Sequence, residues 1–437
     1  MRVSRQPKDY LIYIFIGLVL LLFMARNALS INIPTILILF VSVIPAFFAT
    51  ESQFLAMVLS FLPLGAGFQY KYAIMIYVLI GLIRFHRKIS LNQMIIPIML
   101  MMIWELLHGF SYSFSITEFF RDFAEMLFLV FLTFFRWDRI NYRLISRILA
   151  ISVVGICLVI IVTHISNGFG SMIDLFSQSA DKFRFGQGTT EEGTQYGLNF
   201  NANQLGMICN MAISALLILI ARQENSWVDN LLLVLCILFG LTTLSRTYVI
   251  VLLVILSAFV FSSSSSLKLK LRKIFLFLLS SIVVLFVLVE YAPFIIDNFI
   301  SRNDSDDITN GRAFLMSFYN SHIFSCFKYF FFGIGLQGYG MKIIELYGSN
   351  ILVCHNGIQE IWVTWGIVGI FLFTYFICSM VRMSSRWSNK RHFFAYLPAL
   401  ALLLSTMAGQ LTSSETAMLS LSLVYIVLCL KWDKARL

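Results

Sequence analysis

Apolar runs long enough to cross a bilayer recur along almost the whole chain. A transmembrane helix needs about 20 apolar residues, with a range of roughly 17 to 25. Charged residues, prolines and glycine clusters interrupt these runs at short intervals. Because lipid offers no partner to a backbone polar group, such runs fold as helices. The sequence therefore predicts an all-α fold, a polytopic transmembrane helical bundle of roughly 12 to 14 spans.

The interruptions give the approximate position of each span. The spans are predicted near residues 10–25, 31–49, 53–66, 70–83, 93–109, 117–135, 142–165, 202–221, 229–244, 246–261, 274–293, 356–381, 393–410 and 416–430. The third and fourth are short and lie around Pro63, Gly65 and Gly67. An alternative for these two is one broken or re-entrant unit.

Composition leaves no room for a separate soluble domain. Of the 437 residues, 59% are hydrophobic and 12% are charged, whereas an average soluble domain is about 25% charged. We therefore predict a single integral membrane domain over residues 1–437. Its basic N-terminus is followed by no small-residue cleavage site, so the first helix is expected to be retained.

Lysine and arginine predict the orientation, because basic loops stay on the cytoplasmic side. Most of the 32 basic residues fall in every second interval between spans, with the N-terminus inside. This pattern also accounts for the net charge of +10 without a nucleic-acid partner. Two outer intervals, 166–201 and 294–355, are much longer than the rest and are expected to be functional or disordered. The second is expected to hold interfacial helices that begin near Arg312.

Three ionisable residues fall on one predicted outer face. Arg246 separates two spans, Arg312 follows the turn Asn310-Gly311, and His355 precedes the twelfth span. Taken singly, each has a plainer interpretation: a snorkelling anchor, a solvated loop residue and a polar helix cap. Together they suit a group transfer from a lipid pyrophosphate, since two guanidinium forks bind phosphate oxygens and a neutral imidazole accepts a hydroxyl proton. Because such a leaving group is already acidic, neither a metal nor a general acid is needed, and no cofactor is predicted.

An ordered set of short motifs carries a family resemblance. The motifs are Asn199-Phe200-Asn201-Ala202-Asn203, Ser245-Arg246, Asn310-Gly311-Arg312, Gly333-x-Gly335, His355-Asn356, Gln359-Glu360 and Trp365-Gly366-x-x-Gly369. In this order, over roughly residues 180–380, they resemble the core of the O-antigen ligase and polymerase superfamily of bacterial surface polysaccharide assembly. No single motif is specific, whereas the ordered set is more so.

The resemblance implies a GT-C-type inverting, metal-independent glycosyltransferase of the bacterial inner membrane. Its donor would be an undecaprenyl-pyrophosphate-linked glycan bound at the periplasmic face. Arg246 and Arg312 match the donor-binding arginines and His355 the histidine at the acceptor, while Asn356 and Glu360 join the substrate-binding set. Polymerases extend one lipid-linked chain with another, whereas ligases transfer the chain to lipid A core. The two long outer loops favour a Wzy-type polymerase, for which a chain-length regulator protein is a possible partner.

The first long loop departs from the family pattern. Polymerases often have a basic loop there, but residues 166–201 contain Lys182 and Arg184 against four acidic residues. Arg184 is a candidate donor-binding residue within this acidic loop. Arg121 either forms a structural pair with Glu125, one helical turn away, or binds the acceptor sugar.

Two further patterns have plainer readings. Asp304-x-Asp306 has the spacing of a metal-binding pair, yet it reads as a solvated turn, and no metal site is predicted. Cys326 and Cys354 are either a disulfide or two free thiols. From another functional class, the alternative is a polysaccharide flippase or other transporter. Transporters, however, usually have internal repeats, short loops and charges near the membrane midplane.

Overall fold

The computed structural model describes residues 9–65, 68–90, 92–109, 119–120, 123–137, 140–166, 202–243, 245–262, 312–336, 354–386, 392–411 and 415–429. The regular elements of these ranges are helical, and one isolated antiparallel bridge joins Ile89 to Phe135. The α-helices are α1 (Asp9–Asn27), α2 (Thr35–Val43), α3 (Glu51–Leu64), α4 (Tyr70–Phe85), α5 (Ile95–Gly109), α6 (Ala124–Phe134), α7 (Tyr142–Ser166), α8 (Ala202–Ala221), α9 (Trp227–Thr242), α10 (Arg246–Ser262), α11 (Arg312–Ser325), α12 (Phe327–Phe332), α13 (Gly357–Arg386), α14 (Leu397–Met407) and α15 (Glu415–Cys429).

The predicted spans overlap these helices. The exception is 274–293, which lies outside the described residues. Four helices, α1, α7, α8 and α13, are long and apolar enough to cross a membrane, and most of the others are shorter apolar helices. The chain is thus an all-α polytopic membrane protein, and the predicted fold class is confirmed.

The third and fourth predicted spans form two separate helices. α3 has 14 residues and α4 has 16, which is short for a span of about 20. They are antiparallel, because Glu51 at the start of α3 forms an ion pair with Lys88, just beyond the end of α4. Every residue of α3 from Ser52 to Leu64 is buried, and its main packing partner is α7. α3 therefore lies in the middle of the bundle, whereas α4 exposes residues such as Leu79 and Ile83.

Polar contacts collect at one end of the bundle, which we call the charged face (Asp9, Glu51, Lys88, Arg147 and Asp229). Asp229 is 1% exposed and accepts from Arg147 Nε at 2.8 Å and Nη2 at 2.9 Å. Gln53 donates from Nε2 to Asp9 Oδ1 at 3.1 Å. These residues belong to the intervals whose basic charge predicts the cytoplasmic side. The helix ends assigned to one side by charge thus lie together in space.

Candidate functional site

Arg246 is the first residue of α10, and its neighbours fix the start of that helix. Ser245 caps α10, because its Oγ accepts from Tyr248 N at 3.3 Å. The same hydroxyl donates to Asn203 Oδ1 at 2.8 Å, which ties the cap to α8. The Tyr248 ring occupies the space beside Gly240, where a Cβ would lie 2.1 Å from the ring. The half-buried Arg246 is therefore carried on a rigid helix end.

His355 lies in a short segment that is anchored on both sides. Asn356 caps α13, since its Oδ1 accepts from Ile358 N and Gln359 N, both at 3.1 Å. Among the described residues its Nδ2 has no acceptor. Gly357 packs so closely that a Cβ there would lie 2.9 Å from Leu411 Cβ. His355 itself is half-buried.

Glu360 is turned away from this segment towards the chain after α14. Its side chain is fully buried, and Oε2 accepts from Leu411 N at 2.6 Å. Together with the close packing of Gly357 on Leu411, this contact holds the start of α13 against the end of α14. Its assignment to substrate binding stays a prediction.

Arg312 begins α11, the helix that the sequence places near this residue. The helix packs against α13, where Gln359 Nε2 donates to Met316 O at 2.7 Å. Burial lowers the pKa of His355, and the positive charge of Arg312 lowers it further. A like charge disfavours the imidazolium form. Two of the three predicted catalytic residues are therefore close enough to act on one another, and His355 is held in the neutral form.

Arg246 belongs to the same end of the bundle. α10 packs against α14, and Phe259 meets Phe394, which precedes α14, at a centroid distance of 5.4 Å. The two helices are antiparallel. From that contact, α10 followed backwards along the chain to Arg246 and α14 followed forwards to Thr406 both extend about 20 Å towards the same end of the bundle. Thr406 adjoins Gly357, next to the His355 segment. We call this end, with Arg246, Arg312 and His355, the site face.

The α13 helix is broken in the middle by a neighbouring turn. Gly366 has φ +65, and a Cβ on it would lie 2.2 Å from Phe331 O. Backbone groups across the break are paired, because Gly335 N donates to Thr364 O at 2.7 Å. Ile334 N likewise donates to a carbonyl of α13, that of Val363 at 3.0 Å. Only glycine permits this approach, so the turn Gly333 to Leu336 after α12 is seated on α13.

Glu105 holds this turn and is not among the site residues predicted from the sequence. Its side chain is 1% exposed, and Oε2 accepts from Trp365 Nε1 at 2.7 Å and from Leu336 N at 2.9 Å. Trp104 Nε1 also donates to Trp365 O at 3.1 Å. A carboxylate within an apolar helix is itself a signal of special function, and that signal was available in the sequence.

The other predicted residues lie outside the described part of the chain or remain apart from the site. Arg121 and Arg184 fall outside it, as do Asp304 and Asp306. Glu125 is 2% exposed and accepts from Tyr70 OH at 2.6 Å. Its predicted pairing with Arg121 is untested, because Arg121 lies outside the described residues. Cys326 and Cys354, the first exposed and the second buried, are not joined in a disulfide.

Comparison with known protein families gives a match in the second half of the chain. A family model described as O-antigen ligase matches residues 231–374. The matched region contains Arg246, Arg312 and His355, and ends within α13. No curated protein matches the chain.

Proposed function

We propose, from the premise that this chain belongs to the O-antigen ligase and polymerase superfamily, that it is an O-antigen polymerase. The proposed substrate is an undecaprenyl-pyrophosphate-linked oligosaccharide, which serves as donor and as acceptor. Family membership supports a membrane glycosyltransferase-like enzyme. The polymerase assignment rests on the two long intervals 166–201 and 294–355.

The observation that carries the proposal is the pairing of Arg312 with His355. Burial lowers the pKa of His355 at the start of α13, and the permanent positive charge of Arg312 lies near enough to lower it further. This is the electrostatic state that a general base requires at neutral pH.

In the proposed reaction, Arg246 and Arg312 bind the donor pyrophosphate, with Asn356 Nδ2 as a further donor. His355 accepts the proton of the acceptor hydroxyl while its oxygen forms a bond to the anomeric carbon. The bond from that carbon to the pyrophosphate oxygen breaks on the opposite side, so the configuration is inverted. The undecaprenyl pyrophosphate leaves as an anion, which the two guanidinium groups stabilise.

The proposed location is the bacterial inner membrane, with the site facing the periplasm. The charged face belongs to the intervals that the distribution of Lys and Arg assigns to the cytoplasm, and the site face lies at the opposite end. The apolar helices support membrane insertion. Exposed aromatic side chains of α11 and α12, such as Phe314 and Phe327, suit an interfacial position beside a lipid-linked substrate.

The test is chain growth by the purified protein in detergent, supplied with lipid-linked repeat units and no ion gradient. We expect a ladder of products, which Arg312→Ala and His355→Ala reduce by at least about 10²-fold. Lys328→Ala and His86→Ala are matched controls, because both residues are exposed. Their ladders should equal that of the wild type.

Each alternative function predicts a different product. Transfer that requires lipid A core as acceptor would identify a ligase. Movement of the glycan without any new covalent bond would identify a transporter and refute the proposal. An unchanged ladder in the Arg312 and His355 variants would refute the site.

A further inference from the structure

The amide of Gln359 forms contacts in three directions at the site face. Its Nε2 donates to Met316 O at 2.7 Å and to Asn320 Oδ1 at 2.8 Å, both on α11. Its Oε1 accepts from Cys354 Sγ at 3.0 Å. The side chain is 7% exposed. One buried amide therefore joins α11, α13 and the segment before α13.

These three contacts lie close along the chain to Arg312 and His355, whose relative position matters for the proposed reaction. Met316 lies one helical turn after Arg312, so a bond to its carbonyl fixes the position of the first turn of α11. Cys354 immediately precedes His355, and its Sγ is held by the same amide. A shift of α11 along α13 would break both Nε2 bonds at once. The separation of Arg312 from His355 is thus set by Gln359.

Apolar packing between α11 and α13 is present but limited. A small cluster, separate from the main core, contains the buried side chains of Leu315, Tyr319, Ile323, Ile334, Cys354 and Val363. Apolar contacts are non-directional and tolerate a sliding movement. Hydrogen bonds to named atoms do not, since their strength falls steeply with poor geometry. The Gln359 amide therefore fixes the register of α11 along α13, which the apolar cluster alone does not fix.

We propose that Gln359 is a positioning residue that holds Arg312 at the working distance from His355. This inference rests on the proposed function for its kinetic consequence, because the distance matters only if both side chains act on one substrate. Gln359 touches no reacting atom and acts through α11. Its loss should leave each group present but misplaced, and a displacement of about 1 Å can cost on the order of 10²-fold in rate.

The test uses Gln359→Leu, which keeps the approximate size and removes every polar contact. Gln53→Leu is the matched control, because Gln53 is 4% exposed on the charged face and also donates from Nε2 to another side chain. Chain growth is measured at equal amounts of monodisperse protein. We expect Gln359→Leu to lower the rate by roughly 10- to 100-fold. Gln53→Leu should change it by less than about threefold.

If Gln359 only stabilised the fold, Gln359→Leu would lower the chain-growth rate as well. The substitution is therefore also measured in a protein that already carries Arg312→Ala. If Gln359 acts through Arg312, its replacement in that background should lower the residual rate by less than about threefold. Equal factors in the two backgrounds would overturn the proposal. If Gln359→Leu does not fold, Asn320→Ala replaces it in both backgrounds. Asn320 is exposed, and its replacement removes one of the two Nε2 contacts. It should lower the wild-type rate by about three- to tenfold.

A distance measurement separates this inference from the proposed function. Spin labels at the exposed positions Ser317 and Tyr375 report the placement of α11 on α13 by double electron–electron resonance. Gln359→Leu should broaden the distance distribution, whereas Gln53→Leu should not. Broadening with an inactive wild type would reject the proposed function and retain the positioning of α11. An unchanged distribution would overturn the inference whatever the activity.

Discussion

Replacing Glu105 by leucine removes the acceptor of two donors in the turn that is seated on α13. Trp365 Nε1 is buried and donates to Oε2, while Leu336 N reaches both oxygens at 2.9 and 3.0 Å. Leaving a buried donor unsatisfied costs about 1–3 kcal/mol. Leu336 is half-buried, so water can partly replace the lost contact there. We expect local destabilisation of about 2–4 kcal/mol. Glu105→Gln keeps one acceptor oxygen and should cost about half as much.

The loss should appear as opening of the site face before global unfolding. Cys354 reports this opening, because it is fully buried in one cluster with Ile334 of the turn. Burial raises its pKa to about 12, so the thiol is unreactive while the turn is in place. Since about 1.4 kcal/mol is a factor of ten in population, alkylation of Cys354 should be accelerated roughly 30-fold or more. The measurement uses a background in which serine replaces Cys326, Cys378 and Cys429.

Glu125→Leu is the control, since Glu125 is also a buried carboxylate but accepts from Tyr70 on α4. It should lower the thermal midpoint without exposing Cys354. An alkylation rate for Glu105→Leu within about threefold of the parent would refute the calculation. Equal acceleration by Glu125→Leu would show that the thiol reports general loosening and not release of the turn.

Further predictions concern the broken helix and the charged groups. Gly366→Ala should lower the thermal midpoint and abolish chain growth, because its Cβ would lie 2.2 Å from Phe331 O and its backbone conformation, φ +65 with ψ −164, costs another ~1–3 kcal/mol for a residue with a side chain. Gly17→Ala, with nothing within 4 Å of its Cβ, should be neutral or slightly stabilising. For His355 the depressed pKa places the acidic limb of the wild-type rate below the ordinary value of about 6.5. Arg312→Gln should move that limb of the residual activity to higher pH, and an unmoved limb would contradict the contact. Arg246→Lys should retain less than about a tenth of the rate if a bidentate fork is needed, and full activity would argue for a simple anchor.

Much of the fold was predictable because its signal is local. Each span carries its own apolar run, and a break such as Arg84 to Lys88 can be located without knowing what packs against it. The start of α11 followed from the same count, whereas the two long outer intervals stay predictions. The sequence allows two alternatives for the hairpin of α3 and α4, since helices of 14 and 16 residues are too short for a full span and too long for a typical loop.

For the site, the membrane topology predicts which face its residues lie on and nothing more. Arg246, Arg312 and His355 could be assigned to one face from the alternation of basic intervals. The contacts that fix them could not, because Gln359 reaches atoms 39 and 43 positions away. Glu105 is the sharper case, since its partners are 231 and 260 positions distant. Its presence in an apolar helix marked it as unusual, but no local pattern indicates which donors it accepts from.

Each of the three proposed catalytic residues is fixed by a different polar neighbour in the chain. Ser245 caps the helix that begins at Arg246, Asn356 caps the helix that follows His355, and Gln359 holds α11, which begins at Arg312. In lipid, apolar contact between helices gives little preference for one register, because the tails are as apolar as the side chains. Hydrogen bonds to single atoms supply that preference. A site that must hold a pyrophosphate and a hydroxyl at bonding distance therefore depends on these buried polar side chains, and they tolerate substitution less well than the larger apolar surface around them.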